Sequence, residues 1–282
     1  MPGVPETTPA IATPVPTESL RREESSDSTP APDHGGRTSP QHAAQKVRIR
    51  FRKSGALRLL SHHDLMRTFE RLLRRADLPF HRSQGFHPKP RLIFALSLPL
   101  GVVGCEEVVE LELDRVLPLD EIQTRLARQT PPGLDIVSVR QIPLQATAQV
   151  RRLTYAVRVP AERLPGLTPR IAEALAAGEC WVDRHRPHSG QPGRRLDIRP
   201  FLADLRLHAE EESAILEMVL LLTPAGTARP EEVLGLLGLQ DLLDAGAVLE
   251  RTRLELSDEL PSSEPDGGTE LEKGSHEKRD AD

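Results

Sequence analysis

Residues 59–90, LLSHHDLMRTFERLLRRADLPFHRSQGFHPKP, gather four histidines, two aspartates and five arginines. Three chemistries use such residues: metal ligation, acid–base hydrolysis, and the holding of a polyanion. Which one applies depends on which side chains face the same way. Adjacent residues on a helix diverge by about 100°, so His62 and His63 do not point at one ion. Zinc-binding histidine pairs on helices use i, i+4 spacing instead. His63-Asp64 does spell the dipeptide of HD-type metal phosphohydrolases. Those enzymes are helical and draw further His and Asp ligands from neighbouring helices, whereas strands are expected on both sides of this stretch.

Placed on a helix over residues 62–76, Leu65, Phe69, Leu72 and Ala76 share one side, flanked by Met66 and Leu73. Arg67, Arg71, Arg74 and Arg75 fall on nearly the opposite side. Asp64 lies with the arginines, three residues before Arg67. It also closes a Ser61-x-x-Asp64 box at the helix start, where negative charge suits the dipole, so capping competes with chemistry as its role. His62 projects toward the apolar side and His63 away from it. The following segment, HRSQGFHPKPRL (81–92), is broken by Gly85, Pro88 and Pro90 into an irregular loop. Arg82, His87, Lys89 and Arg91 decorate it, with Ser83, Gln84 and Phe86 between them. Such a loop beside an arginine face is suited to gripping phosphates. Solvated charge is the plainer account of any single arginine.

The elements that must position these groups follow from periodicity. KVRIRFRK (46–53) alternates apolar and basic residues and predicts a strand. RLIFALSLPLG (91–101), EEVVELELD (106–114) and LDIVSVRQI (134–142) predict three more, with a helix over 118–133. The order β-α-β-β-α-β is the split-βαβ, or ferredoxin-like, unit. Strand one then lies beside strand three, so Arg48 and Arg50 are expected to face Glu110 and Glu112 as ion pairs. Residues 153–256 repeat the order, with strands at 153–159, 214–223 and 247–256 and helices at 167–177 and 229–238. CWVDR and LDIRPFLADLRL add one extended segment more than the unit needs. The expected fold class is α+β: two ferredoxin-like sandwiches in tandem over 46–142 and 153–256, joined by a linker at 143–152.

Residues 1–45, rich in Pro, Ser, Thr and Glu, and the acidic segment 257–282 are expected to be disordered tails, because neither buries enough apolar surface to offset ordering. The tails also explain the net charge of −5: residues 1–45 hold three Arg against six Asp/Glu, and residues 257–282 hold three Lys/Arg against nine. Residues 46–91 alone hold thirteen Lys/Arg against three Asp/Glu, a +10 patch of the kind that attracts polyanions. The two cysteines, Cys105 and Cys180, share no CxxC-type spacing and assemble neither a thiolate zinc site nor an iron–sulfur cluster alone. No apolar run reaches the ~18 residues of a membrane span and no secretory n- and h-region opens the chain. Cytoplasm is the expected compartment, with no membrane partner.

The run GALRLLSHHDLMRTFERLLRRADLPFHRSQGFHPKPRLIFALSLPLGVVGCEEVVELEL resembles a bacterial radical-SAM-linked domain family, found fused to radical SAM proteins or encoded beside them. The match is carried by Ser61, His62, Asp64, Leu65, Arg74, Arg75 and Ala76, by Ser83, Gly85, Phe86, Pro88 and Pro90 of the loop, and by Leu98-Pro99-Leu100-Gly101. His63, His87 and Lys89 depart from the family's Leu, Asn and His. LDIRPFLADL (196–205) and ERTRL (250–254) resemble its later motifs and bring Asp197 and Arg199 into consideration. The resemblance implies company with a radical SAM protein, and the family's gene neighbourhood implies RNA. An iron–sulfur cluster and S-adenosylmethionine are then expected in the partner only, with no cofactor in this chain.

The expected function is a non-catalytic accessory protein that presents RNA, or an RNA-linked substrate, on its basic helix and loop. A protein-docking subunit without RNA is the alternative. An acid–base enzyme using Asp64 or Asp197 with His62 or His87 is a third reading that no spacing singles out.

Overall fold

A computed structural model describes residues 43–82, 89–184 and 193–259. Most of the two expected tails, and Ser83, Gly85, Phe86 and His87 of the loop, lie outside the described residues. Strand β1 (Gln45–Lys53) turns Val47, Ile49 and Phe51 toward the helices, as its alternation predicts. Helix α1 (His62–Arg75) follows, then β2 (Leu92–Phe94), β3 (Val103–Leu113), α2 (Leu119–Ala127) and β4 (Leu134–Ile142). Leu65, Phe69, Leu72 and Leu73 of α1 and Ile122 and Leu126 of α2 pack on the apolar residues of β1 and β3. Gly133 closes the turn from α2 into β4 at φ 88°, with a Cβ there only 2.6 Å from the Ser54 carbonyl oxygen, so only glycine fits.

The second half runs β5 (Val150–Pro160), α3 (Leu167–Ala176), β6 (Trp181–Arg184), β7 (Arg194–Asp197), β8 (Leu202–Ala209), β9 (Ser213–Leu221), α4 (Pro230–Leu236) and β10 (Glu250–Leu256). The extra extended segment is the β6–β7 hairpin, a separate two-stranded sheet. The other strands of the described residues join one eight-stranded sheet in the order β4-β1-β3-β10-β5-β9-β8, with β2 on β3. The fold is therefore mixed α+β, with one large mixed sheet and four α-helices among the described residues. The halves meet where β10 pairs antiparallel with β5 and, at Glu250 and Arg251, parallel with Val103 and Gly104 of β3.

Strand β2 is far shorter than its apolar run, 91–101, implies. Pairing with β3 stops after Phe94, and the chain turns through Ser97, Pro99 and Gly101, the last at φ 83°. Proline cannot donate to a ladder, and the Ser97 carbonyl is taken by Arg251. The ion pairs expected on β1 are re-sorted. Arg48 meets Glu110 (2.8 Å), as does Lys46 (2.9 Å). Arg50 reaches Glu106 at 3.6 Å, and Glu112 pairs with Arg91 at 3.1 Å.

Candidate functional site

Helix α1 owes its start to Ser61, whose hydroxyl accepts from the Asp64 backbone N–H (3.2 Å) and donates to the Asp64 carboxylate (2.7 Å). That hydroxyl, with Arg67 Nη1 at 3.4 Å, holds the Asp64 carboxyl below the usual carboxylate range. Asp64 thus braces the Ser61 cap in the first turn of α1. Phe69 lies edge-on to Phe51 (4.9 Å between ring centres) and to Phe94 (5.4 Å), and His62 stacks edge-on to Phe94 at 5.3 Å. Burial, with the neighbouring charges of His63 and Lys53, pushes the His62 imidazole down. His62 closes the aromatic cluster, and His63 is exposed.

The opposite face carries the arginines. Arg67, Arg71, Arg74 and Arg75 are all exposed. Arg71 bonds Thr68 Oγ1 weakly at 3.5 Å, and Arg75 donates to the Gln129 carbonyl at 2.9 Å. The Arg74 guanidinium has no hydrogen-bond or ion-pair partner among the described residues. Beyond the helix, Arg82 lies over the Phe80 ring at 5.4 Å and Arg91 is exposed beside Glu112. Lys89 is exposed as well. One surface therefore gathers the α1 arginines.

Asp197 and Arg199 do not join it. Asp197 Oδ1 accepts from the backbone N–H groups of Cys180 (2.7 Å) and Arg199 (3.0 Å). Arg199 donates to the carbonyls of Leu175 (2.7 Å), Ala177 (3.0 Å) and Leu202 (3.0 Å). The DIRP motif thus clasps the C-terminal end of α3 to the start of β8, satisfying carbonyls that a helix end leaves without partners. Among the described residues no group of three His, Cys, Asp or Glu side chains converges as a metal ligand set, and no helix is long and apolar enough to cross a membrane.

Sequence reasoning misses a buried polar cluster at the junction of the halves. Arg251 is bidentate on Glu107 (Nε–Oε1 2.7 Å, Nη2–Oε2 2.5 Å) and reaches the Tyr155 hydroxyl at 3.4 Å. A Cβ on Gly104 would come within 2.5 Å of Glu107 Cγ, so this glycine makes room for the pair. Lys53, also buried, donates to the Leu60 carbonyl at 3.1 Å, and burial pushes its ammonium down despite the attraction of Glu107. Arg251 and Tyr155 line a cavity of about 870 Å³ that opens between Leu96–Pro99 and the β6 and α4 region, with Trp181 at its wall. The chain has one Tyr and one Trp, and both line this cavity.

Residues 46–230 match the family model DUF2344, described as an uncharacterized protein conserved in bacteria. The chain belongs to this family. The DUF2344 match spans α1, the DIRP clasp and all the strands up to β9, so both features are within the shared domain. No curated protein matches the chain. Among solved structures it is similar to a chain of a Cbf5–Nop10–Gar1 complex, with 12% identity and a TM-score of 0.41 over 79% of this chain, and spans 54% of that chain. It is also similar to an unknown protein from Galdieria sulphuraria, with 14% identity and a TM-score of 0.22 over 75% of this chain and 98% of that one.

Proposed function

We propose that this DUF2344 protein is a non-catalytic binding protein that holds RNA, or an RNA-linked substrate, on the outer face of α1 and works with a radical SAM enzyme. The observation that carries the reading is the segregation of α1: Arg67, Arg71, Arg74 and Arg75 face solvent while Leu65, Phe69, Leu72 and Leu73 are buried. Of the thirteen cations in residues 46–91, Lys46, Arg48 and Lys53 are buried in the fold. Arg67, Arg71, Arg74 and Arg75 are the exposed cations that one helix face brings together. Asp64 and Asp197 are spent on backbone and cap contacts, which favours binding over acid–base chemistry. The halves themselves we read as tandem ferredoxin-like units sharing a sheet. The order β4-β1-β3-β2, repeated as β10-β5-β9-β8, supports that reading.

A docking subunit without RNA is the second reading. Leu59 and Leu100 are both exposed, and the Gly101 N–H to Arg58 carbonyl bond (2.9 Å) brings their segments together beside the start of α1. That pair is a natural foothold for a protein partner.

A native pull-down of the tagged full chain, split into nuclease-treated and untreated halves, separates the two. A radical SAM protein recovered only without nuclease supports RNA presentation. The same protein recovered in both halves, with no RNA, assigns the surface to docking. Recovery of neither contradicts both readings.

A further inference from the structure

The basic strand β1 has a second face, turned away from the helices, that the α1 surface does not use. There Lys46 and Arg48 sit on Glu110, and Arg50 lies beside Glu106. From outside, the two residues after the Ser257 turn complete the set. Arg48 Nη1 and Nη2 bond the Asp258 carboxylate at 3.0 and 2.9 Å, and Nη1 bonds Glu259 at 2.9 Å. The Glu259 carboxylate is also taken by Arg50 and by Arg140 of β4. Three guanidinium groups from two neighbouring strands thus converge on one carboxylate.

Four cations of this face (Lys46, Arg48, Arg50, Arg140) meet two carboxylates of β3 (Glu106, Glu110), leaving +2; Asp258 and Glu259 bring the set to neutral. The seat opens to solvent through Arg140, whose side chain is 54% exposed, and through Asp258 at 44%. Planar guanidinium forks accept a phosphodiester as readily as a carboxylate, because both offer paired anionic oxygens at similar spacing.

We propose that Arg48, Arg50 and Arg140 form a phosphate-backbone seat on the face of the sheet turned away from the helices, occupied in the resting chain by Asp258 and Glu259, which RNA displaces. The proposal rests on RNA as the ligand but assigns it a surface apart from α1. It also gives Arg48 and Arg50 of KVRIRFRK a task beyond their ion pairs with β3.

The test is fluorescence anisotropy with a labelled single-stranded RNA on four full-length proteins: wild type, D258N/E259Q, D258N/E259Q/R140E, and the α1 reversal R67E/R71E/R74E/R75E. Thermal melts confirm that each is folded, and E259Q alone stands in where the double variant is not. The expected result is RNA binding tightened roughly tenfold by D258N/E259Q, the worth of one charge-assisted hydrogen bond, with the gain abolished by R140E. Wild-type binding that D258N/E259Q leaves unchanged or weakens overturns the proposal alone. Binding gained by D258N/E259Q, lost with R140E, and insensitive to the α1 reversal upholds the seat and overturns the α1 surface. No RNA binding by any of the four overturns both.

Discussion

Glu107 and Arg251 form a two-pronged ion pair across the join between the halves, one residue on β3 and the other on β10, each at most 2% exposed. The pair stands where the sheet changes from antiparallel to parallel pairing. A buried pair adds little over a well-packed apolar substitute, but removing one partner strands a charge in the interior. Glu107→Gln or Arg251→Met is therefore expected to cost about 3–5 kcal/mol in denaturant unfolding. Replacing both residues by apolar side chains of like volume recovers much of that loss.

Ser61 is expected to matter for stability and not for binding. Ser61→Ala removes the side-chain cap of α1 and lowers stability by about 1 kcal/mol. RNA affinity at saturating fold stays within twofold or so, because the arginines lie a turn or more away. A loss of affinity larger than the loss of stability would assign Ser61 and Asp64 to the ligand.

The clasp built by Asp197 and Arg199 makes a parallel prediction. Asp197→Ala leaves two backbone donors without their acceptor and is expected to destabilise by about 1–3 kcal/mol. RNA binding and partner recovery, measured on the folded fraction, stay unchanged. Binding lost with the melt unaltered would return the DIRP motif to the functional surface.

Acid should act through His62. Its folded-state pKa is depressed by burial, so the unfolded chain binds the proton more readily and stability falls as pH drops below the ordinary histidine value of about 6.5. The loss is complete once the folded-state value is passed. His62→Phe keeps the edge contact with Phe94 and flattens the stability profile over that window. A profile identical to wild type would show that another group titrates there.

The legible parts were those with local periodicity. LDIVSVRQI gives β4 at its predicted bounds, Leu134–Ile142, and Ser61 with the Leu65–Phe69–Leu72 stripe gives α1 and its orientation. What escaped depends on partners distant in sequence. Glu107 and Arg251 are 144 residues apart, and no spacing joins them. The apolar run of β2 promised a longer strand, but Pro99 and the claim of Arg251 on the Ser97 carbonyl end it early. Asp258 and Glu259 belong by composition to a solvated acidic segment, and only the fold brings Arg48, Arg50 and Arg140 to them. Burial of Lys46, Arg48 and Lys53 thins the +10 patch, which charge counting along the chain does not reveal.

The measurement that bears most directly on the account is the salt dependence of RNA binding by wild type and by R67E/R71E/R74E/R75E. The account predicts that wild-type affinity falls steeply with salt, by a slope of about 0.7 per phosphate contact for single strands. The reversed helix should bind at least about 100-fold more weakly, with a flatter slope. Equal affinity and equal slope for the two proteins would contradict the claim that α1 holds RNA.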